Sequence, residues 1–189
     1  DHLTRLVDDL LDVSRIVRGK VTLRPEPVEL AAVVNQALDM ARPLIDARGH
    51  RIAVSLSGHG VQLESDPVRL AQVLLNLLDN AAKYTPEGGR ITLNASAFEQ
   101  GIEIRVSDNG VGIPAELLPR IFDLFQQGER TLDRSQGGLG IGLAIVRELV
   151  TAHAGTVAAA SGDGTGTAVT VRLPLVSTRR PHRDRREAA

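Results

Sequence analysis

Asn76-Leu-Leu-Asp-Asn-Ala-Ala-Lys83 decides how this chain is read, because two amides and a lysine recur in it at helical steps. The helix carrying it begins at Asp66-Pro67, where Asp can cap and proline suits the first helical position, and runs to about Lys83. At about 100° per residue, Leu70, Leu74, Leu77, Leu78 and Ala81 fall on one side, with Arg69, Gln72, Asn76, Asp79, Asn80 and Lys83 on the other. A plain solvated face would more usually carry Glu, Lys or Arg, and Asn is a mediocre helix former. Neutral amide oxygens suit a hard cation such as Mg²⁺ that already brings phosphate oxygens and waters. Lys83, one turn beyond Asn80, adds positive charge for those phosphates.

Working outward, the next informative stretch is Asp108-Asn-Gly-Val-Gly-Ile113. It ends a strand predicted over 102–108, in which Ile102, Ile104 and Val106 share a parity that Asp108 continues. A carboxylate is therefore aimed at the buried side, where a cation or a donor such as an adenine amino group must meet it. Gly110 and Gly112 let the backbone turn sharply and approach a flat ring. Further on, Gly137, Gly138, Gly140 and Gly142 open a helix predicted over about 141–153, and the free amides of a helix N-terminus attract anions. The spacing is neither that of a Walker A loop nor the Rossmann G-x-G-x-x-G. Residues 114–139 are too long for a simple connection and read as a lid, with Phe122 and Phe125 expected to anchor its base to the core.

The rest of the chain frames these motifs. Residues 2–17 read as an amphipathic helix stopped by Gly19, and 19–28 as an extended linker marked by Pro25 and Pro27. A helix is expected over about 29–48, a strand over 51–56, and a short extended piece through Val61 and Leu63. Strands 90–98 and 102–108 form a pair, and two more close the domain near 156–160 and 167–173. Helices and strands mix without regular βαβ alternation, which favours an α+β sandwich over a doubly wound parallel sheet. The Arg-rich segment 176–189 has too few apolar residues to offset its ordering entropy and is expected to be a disordered tail.

Composition bounds the function. Apolar residues make up 42% and aromatics only 2%, so the core must be built from Leu, Val, Ile and Ala. With no cysteine there are no disulfides or thiolate metal sites, which suits a reducing compartment. A net charge of −1 gives no reason to expect a nucleic-acid partner. No apolar run approaches the roughly 18–20 residues needed to cross a bilayer.

Taken in order, these stretches resemble the histidine-kinase family of bacterial two-component systems in its catalytic and ATP-binding domain. Asn76–Tyr84 looks like the family's N box, Asp108–Gly112 its first glycine box, and Ile121–Phe125 its F box. Gly138–Leu143 looks like the second glycine box, and Gly164-Thr-Gly-Thr167 like the last glycine motif. The resemblance implies a Bergerat-type two-layer α/β sandwich over residues 29–175, a mixed sheet packed on three helices, with Mg-ATP held beneath a mobile lid. By the same carry-over Asn80 would hold Mg²⁺ with Asn76 nearby, and Lys83 would meet phosphate. Tyr84 would line the pocket, Asp108 would bind the adenine amino group, and Thr167 would sit near the base. Gly110, Gly112, Gly138, Gly140, Gly142 and Leu143 would shape the nucleotide cradle. Residues 1–18 resemble the second helix of the family's dimerisation and phosphotransfer hairpin. The implied setting is a cytoplasmic homodimer, including where the parent is membrane-anchored, that passes phosphate to a response regulator.

Two departures refine the expectation. The family's phosphoacceptor histidine is followed by an acidic residue and then Arg and Pro, and none of His2, His50, His59, His153 or His182 has that context. The chain is thus expected to bind Mg-ATP and to lack its own phosphoryl acceptor. Gln126-Gln127 follow the F box where many members have arginine, a role open to Arg130 or Arg134. Two other readings stand beside the kinase. One is an ATPase of the gyrase, chaperone or mismatch-repair type, which usually has glutamate at the place of Asn76. The other is a non-catalytic nucleotide-sensing module.

Overall fold

The computed structural model of the protein describes residues 22–57, 61–98, 101–126, 139–162 and 164–175. In chain order these form β1 (Glu26–Glu29), α1 (Leu30–Ala47), β2 (Arg51–Ser57), β3 (Gln62–Ser65), α2 (Pro67–Tyr84), β4 (Arg90–Phe98), β5 (Gly101–Asp108), α3 (Gly142–Ala152), β6 (Thr156–Ser161) and β7 (Thr167–Pro174). A 3-10 turn at Leu118–Arg120 lies between β5 and α3. The expected helix over 2–17, the middle of the lid with Gln127, Arg130, Arg134, Gly137 and Gly138, and the Arg-rich tail lie outside the described residues.

Period-two patterning assembles the sheet. Its order is β2-β4-β5-β7-β6, with β2 parallel to β4 and every other pair antiparallel. On β4 Ile91 and Leu93, on β5 Ile102 and Ile104, and on β7 Val171 and Leu173 are buried, whereas alternate residues such as Asn94, Arg105 and Arg172 are exposed. The apolar side is covered by three helices: Val33, Val34 and Ala37 of α1, Leu70, Leu74 and Leu78 of α2, and Ile145, Val146 and Leu149 of α3 are all buried. The result is the two-layer α+β sandwich anticipated from the sequence. Each fully buried Leu or Ile contributes about 1.5–3 kcal/mol. Truncating Leu78, which has no exposed surface, would cost about 2–5 kcal/mol.

Asp66 fixes where α2 begins. Its Oδ1 accepts hydrogen bonds from the Val68 and Arg69 backbone N–H at 3.1 Å each, with Pro67 in the first helical position. Its Oδ2 accepts the Arg24 N–H at 2.9 Å, tying the incoming chain to the helix. Burial pushes the Asp66 carboxyl up, but the bonds from Arg24, Arg69 and Val68 and the charge of Arg69 together hold it below its ordinary value. The residues read as a linker, 19–28, include most of β1, which pairs antiparallel with β3 and buries Val28 against the core. An edge strand tolerates Pro27 where a central one would not. His153, after α3, donates from Nδ1 to the Leu149 carbonyl at 2.7 Å and accepts the Asp66 N–H on Nε2 at 3.2 Å. The C-terminus of α3 is thereby joined to the N-terminus of α2.

Candidate functional site

Asp108 closes β5 on the helix side of the sheet, as its parity requires. Its Oδ1 accepts the Gly110 N–H at 2.8 Å and the Thr167 N–H at 3.3 Å. Burial raises the carboxyl above its ordinary value, and the Gly110, Thr167 and Thr85 contacts oppose the rise only in part. Thr85 is buried beside the carboxylate, and its hydroxyl makes no bond of proper hydrogen-bond geometry. A half-buried carboxylate with one oxygen already committed to backbone donors can present its other oxygen to a ligand donor.

The turns around Asp108 require glycine. A Cβ on Gly110 would strike the Tyr84 carbonyl and approach Asp108 Oδ1 at 2.8 Å. Gly112 has φ +74°, and a Cβ there would strike the Gly162 carbonyl. The loop is pinned on one side by Val111 N–H donating to Tyr84 O at 3.1 Å, and on the other by Gly164 N–H donating to Val111 O at 2.8 Å. Tyr84 itself, the last residue of α2, is 44% exposed at this edge.

A row of polar residues crosses three strands here. β6 and β7 pair with Ser161 opposite Thr167, and the β5–β7 register, continued past Ser107 and Ala168, sets Asp108 opposite Thr167. The Ser161 Oγ donates to the Gly166 carbonyl at 2.7 Å, accepts the Ile113 N–H at 2.8 Å, and lies 3.1 Å from Thr167 Oγ1. Ser161 was not singled out from the sequence. The signal was the one that identified Asp108: a polar residue continuing an apolar parity, here Val157 and Ala159.

The second half of the site lies where α2 meets α3. Asn76, Asn80 and Lys83 are all half-buried on α2. A Cβ on Gly142, the first residue of α3, would fall 3.1 Å from Asn76 Oδ1 and 3.9 Å from Asn80 Nδ2. The two amides therefore converge on the helix N-terminus that sequence spacing alone could not place. Leu143 turns inward and packs against the core. Gly140 (φ +70°) accepts the Phe125 N–H on its carbonyl at 3.0 Å, so the two described ends of the lid meet. Of the two phenylalanines expected to anchor the lid, only Phe122 packs on the core. Phe125 is 62% exposed with φ +63°, held by its backbone instead of its ring. Gly138 lies outside the described residues.

This constellation can be compared with known proteins. Residues 65–177 match the family model described as histidine kinase-, DNA gyrase B- and HSP90-like ATPase. The chain belongs to that ATPase family. Within it the similarity runs to histidine kinases: the chain is 34% identical over 175 residues to the histidine protein kinase DivJ of Caulobacter vibrioides. It is 33% identical over 176 residues to the sensor histidine kinase WalK of Bacillus subtilis. These alignments cover 93% and 92% of this chain but 29% of each relative, so the chain spans under a third of their length. Among solved structures, full-length ShkA in complex with AMPPNP superposes with a TM-score of 0.80 at 33% identity, covering 93% of this chain and 36% of that one. The mycobacterial sensor histidine kinase MprB gives 0.69 at 31% identity, covering 80% of this chain and 97% of that one. The chain therefore carries the ATP-binding catalytic domain of the histidine-kinase branch of this ATPase family.

Proposed function

We propose that this domain transfers the γ-phosphoryl group of Mg-ATP to a histidine on a helix of a dimerisation hairpin, for relay to a response regulator. The carrying observation is the convergence of Asn76, Asn80 and the α3 N-terminus at Gly142, on the sheet face to which Asp108 is also directed. Asp108 accepts from the adenine amino group, Thr167 sits beside the base, and Tyr84 borders it. Lys83 and the free amides at the start of α3 take the phosphates. The amide oxygens of Asn80 and Asn76 fit a hard cation; Mg²⁺, when bound, neutralises charge on the phosphate oxygens. The incoming imidazole nitrogen bonds to the γ-phosphorus as the bond to the bridging oxygen breaks, leaving ADP. Such a step needs alignment and charge neutralisation, not a nucleophile from the pocket.

A water-activating ATPase would need a base where Asn76 stands, and an amide cannot serve as one. None of the five histidines in this chain has the acceptor's sequence context, which supports an acceptor on a hairpin helix as the family resemblance implies. The test is to add a histidine-bearing hairpin to the chain with γ-labelled ATP. Label on the hairpin that is lost when Asn80 becomes Asp supports the transfer. Steady ATP hydrolysis without an acceptor would replace it with the ATPase reading, and binding without either activity with the sensing reading.

A further inference from the structure

The polar row across β5, β7 and β6 fixes more than the shape of the loop, because hydroxyl groups have only one proton each. Ser161 Oγ lies 2.7 Å from the Gly166 carbonyl, which can only accept, so the Ser161 proton is committed there. Ser161 Oγ also accepts the Ile113 N–H at 2.8 Å. The remaining contact, 3.1 Å to Thr167 Oγ1, can then be made only by the Thr167 proton pointing at Ser161. Thr167 is left with lone pairs alone for anything else it meets. Beside it stands Asp108, whose carboxylate already takes the Thr167 N–H.

We propose that Ser161 is a positioning residue for base selection: by consuming the Thr167 proton it makes this end of the pocket an all-acceptor surface that admits a 6-amino purine and rejects a 6-oxo purine. The inference rests on the reading of Asp108 and Thr167 as the base subsite. An exocyclic amino group brings only N–H donors to such a surface. The 6-oxo group of hypoxanthine or guanine brings an acceptor, and a hydroxyl free to rotate could satisfy it. Ser161 removes that freedom. Selectivity here comes as much from the unfavourable meeting of acceptors as from the favourable bond to Asp108.

The experiment is calorimetric titration of the full chain with ADP and with IDP, which differ at the purine 6-position and the adjoining N1 proton. The wild type is expected to favour ADP. In Ser161→Ala the Thr167 hydroxyl is released to donate, and the ADP-over-IDP preference falls by about tenfold, mostly through tighter IDP binding. Ser161→Thr, which keeps the hydroxyl, retains the preference. In a Thr167→Val background the Ser161→Ala change no longer alters the ratio, because the effect passes through Thr167. Should alanine unfold the turn, Ser161→Cys, with its weak thiol donor, reads the same ratio. A wild type that binds ADP selectively while Ser161→Ala weakens both nucleotides equally overturns the inference alone, leaving Ser161 as a clamp on Ile113. A folded wild type that binds neither nucleotide overturns the pocket reading and this inference with it.

Discussion

Gly142 opens α3 directly against Asn76 of α2: a Cβ on Gly142 would stand 3.1 Å from the Asn76 Oδ1. Helix propensity and site geometry disagree at this residue. Alanine in place of glycine favours a helix by about 0.5–1 kcal/mol. The new methyl group, however, occupies the space between α3 and the Asn76 and Asn80 amides. Gly142→Ala is therefore expected to keep or raise the unfolding midpoint of the free chain while weakening ADP binding several-fold. Thermal unfolding and calorimetry on the same samples check it; equal ADP affinity would separate Gly142 from the site.

Asp108 makes a similar opposition visible through pH. Burial raises its carboxyl above the ordinary value of 3.8, so between that value and the raised one the native chain holds more protons than the unfolded chain. Stability contributed by this group is thus fully present below 3.8 and lost as pH rises through the raised value, after which the loss is constant. Asn in its place keeps an oxygen for the Gly110 and Thr167 N–H groups and carries no charge. Asp108→Asn should match or exceed the wild type in urea at pH 7, with the difference closing in acid. ADP affinity should fall about 10–100-fold, the worth of a hydrogen bond to a charged acceptor. A variant that is less stable at neutral pH and binds ADP normally would contradict both halves.

Much of this was legible in one dimension, and the rest was not for a physical reason. Local signals sufficed for the Asp66-Pro67 helix start, for the polar face of α2 and for the inward parity of Asp108. Those depend on neighbours within a turn or along a strand. The pairing of β1 with β3 depends on contact between residues 33–39 apart in sequence, so Glu26–Val28 looked like part of a linker. The bond from Asp66 N–H to His153 spans 87 residues and has no local trace. Phe125 misled because an aromatic residue in a polar segment ordinarily marks burial, whereas here a left-handed backbone turn holds it outward. Ser161 lay one residue beyond the expected end of its strand, although its parity was readable.

The junction between α2 and α3 gives a pH dependence of the opposite sign to that of Asp108. Net lowering of the Asp66 carboxyl means its contribution is fully present above the ordinary value of 3.8 and is lost as pH falls through the lowered value. Asp66→Ala should cost about 0.5–2 kcal/mol at pH 7, as lost caps do, and should blunt the acid limb of the stability profile. His153→Ala leaves the Asp66 N–H without its acceptor and should cost about 1–3 kcal/mol. Asp66→Ala keeps the backbone N–H that His153 accepts, but both changes loosen the same helix start, so the double variant should lose less than the sum of the singles. Strict additivity in denaturant titrations would show that the Asp66 side-chain cap and the backbone bond to His153 act independently.

Gly166 ties the last glycine motif to the base subsite through backbone alone. Its φ is +81°, and a Cβ there would strike the Asp108 carbonyl and lie 2.9 Å from the Asn109 Cα. Neither neighbour is a flexible side-chain end that could swing away. Gly166→Ala must therefore either distort the β6–β7 turn or displace the end of β5, and the left-handed backbone adds a cost of about 1–3 kcal/mol. Displacing β5 moves Asp108, and distorting the turn breaks the Gly166 carbonyl's bond to Ser161. Both routes reach the base before they reach the phosphates. The variant should accordingly lose affinity for ADP while the ADP-over-IDP preference narrows, and should leave inhibition by inorganic pyrophosphate, which has no base, nearly unchanged. A loss shared equally by pyrophosphate would mean that the strain spreads to α2 and α3 instead of stopping at the sheet.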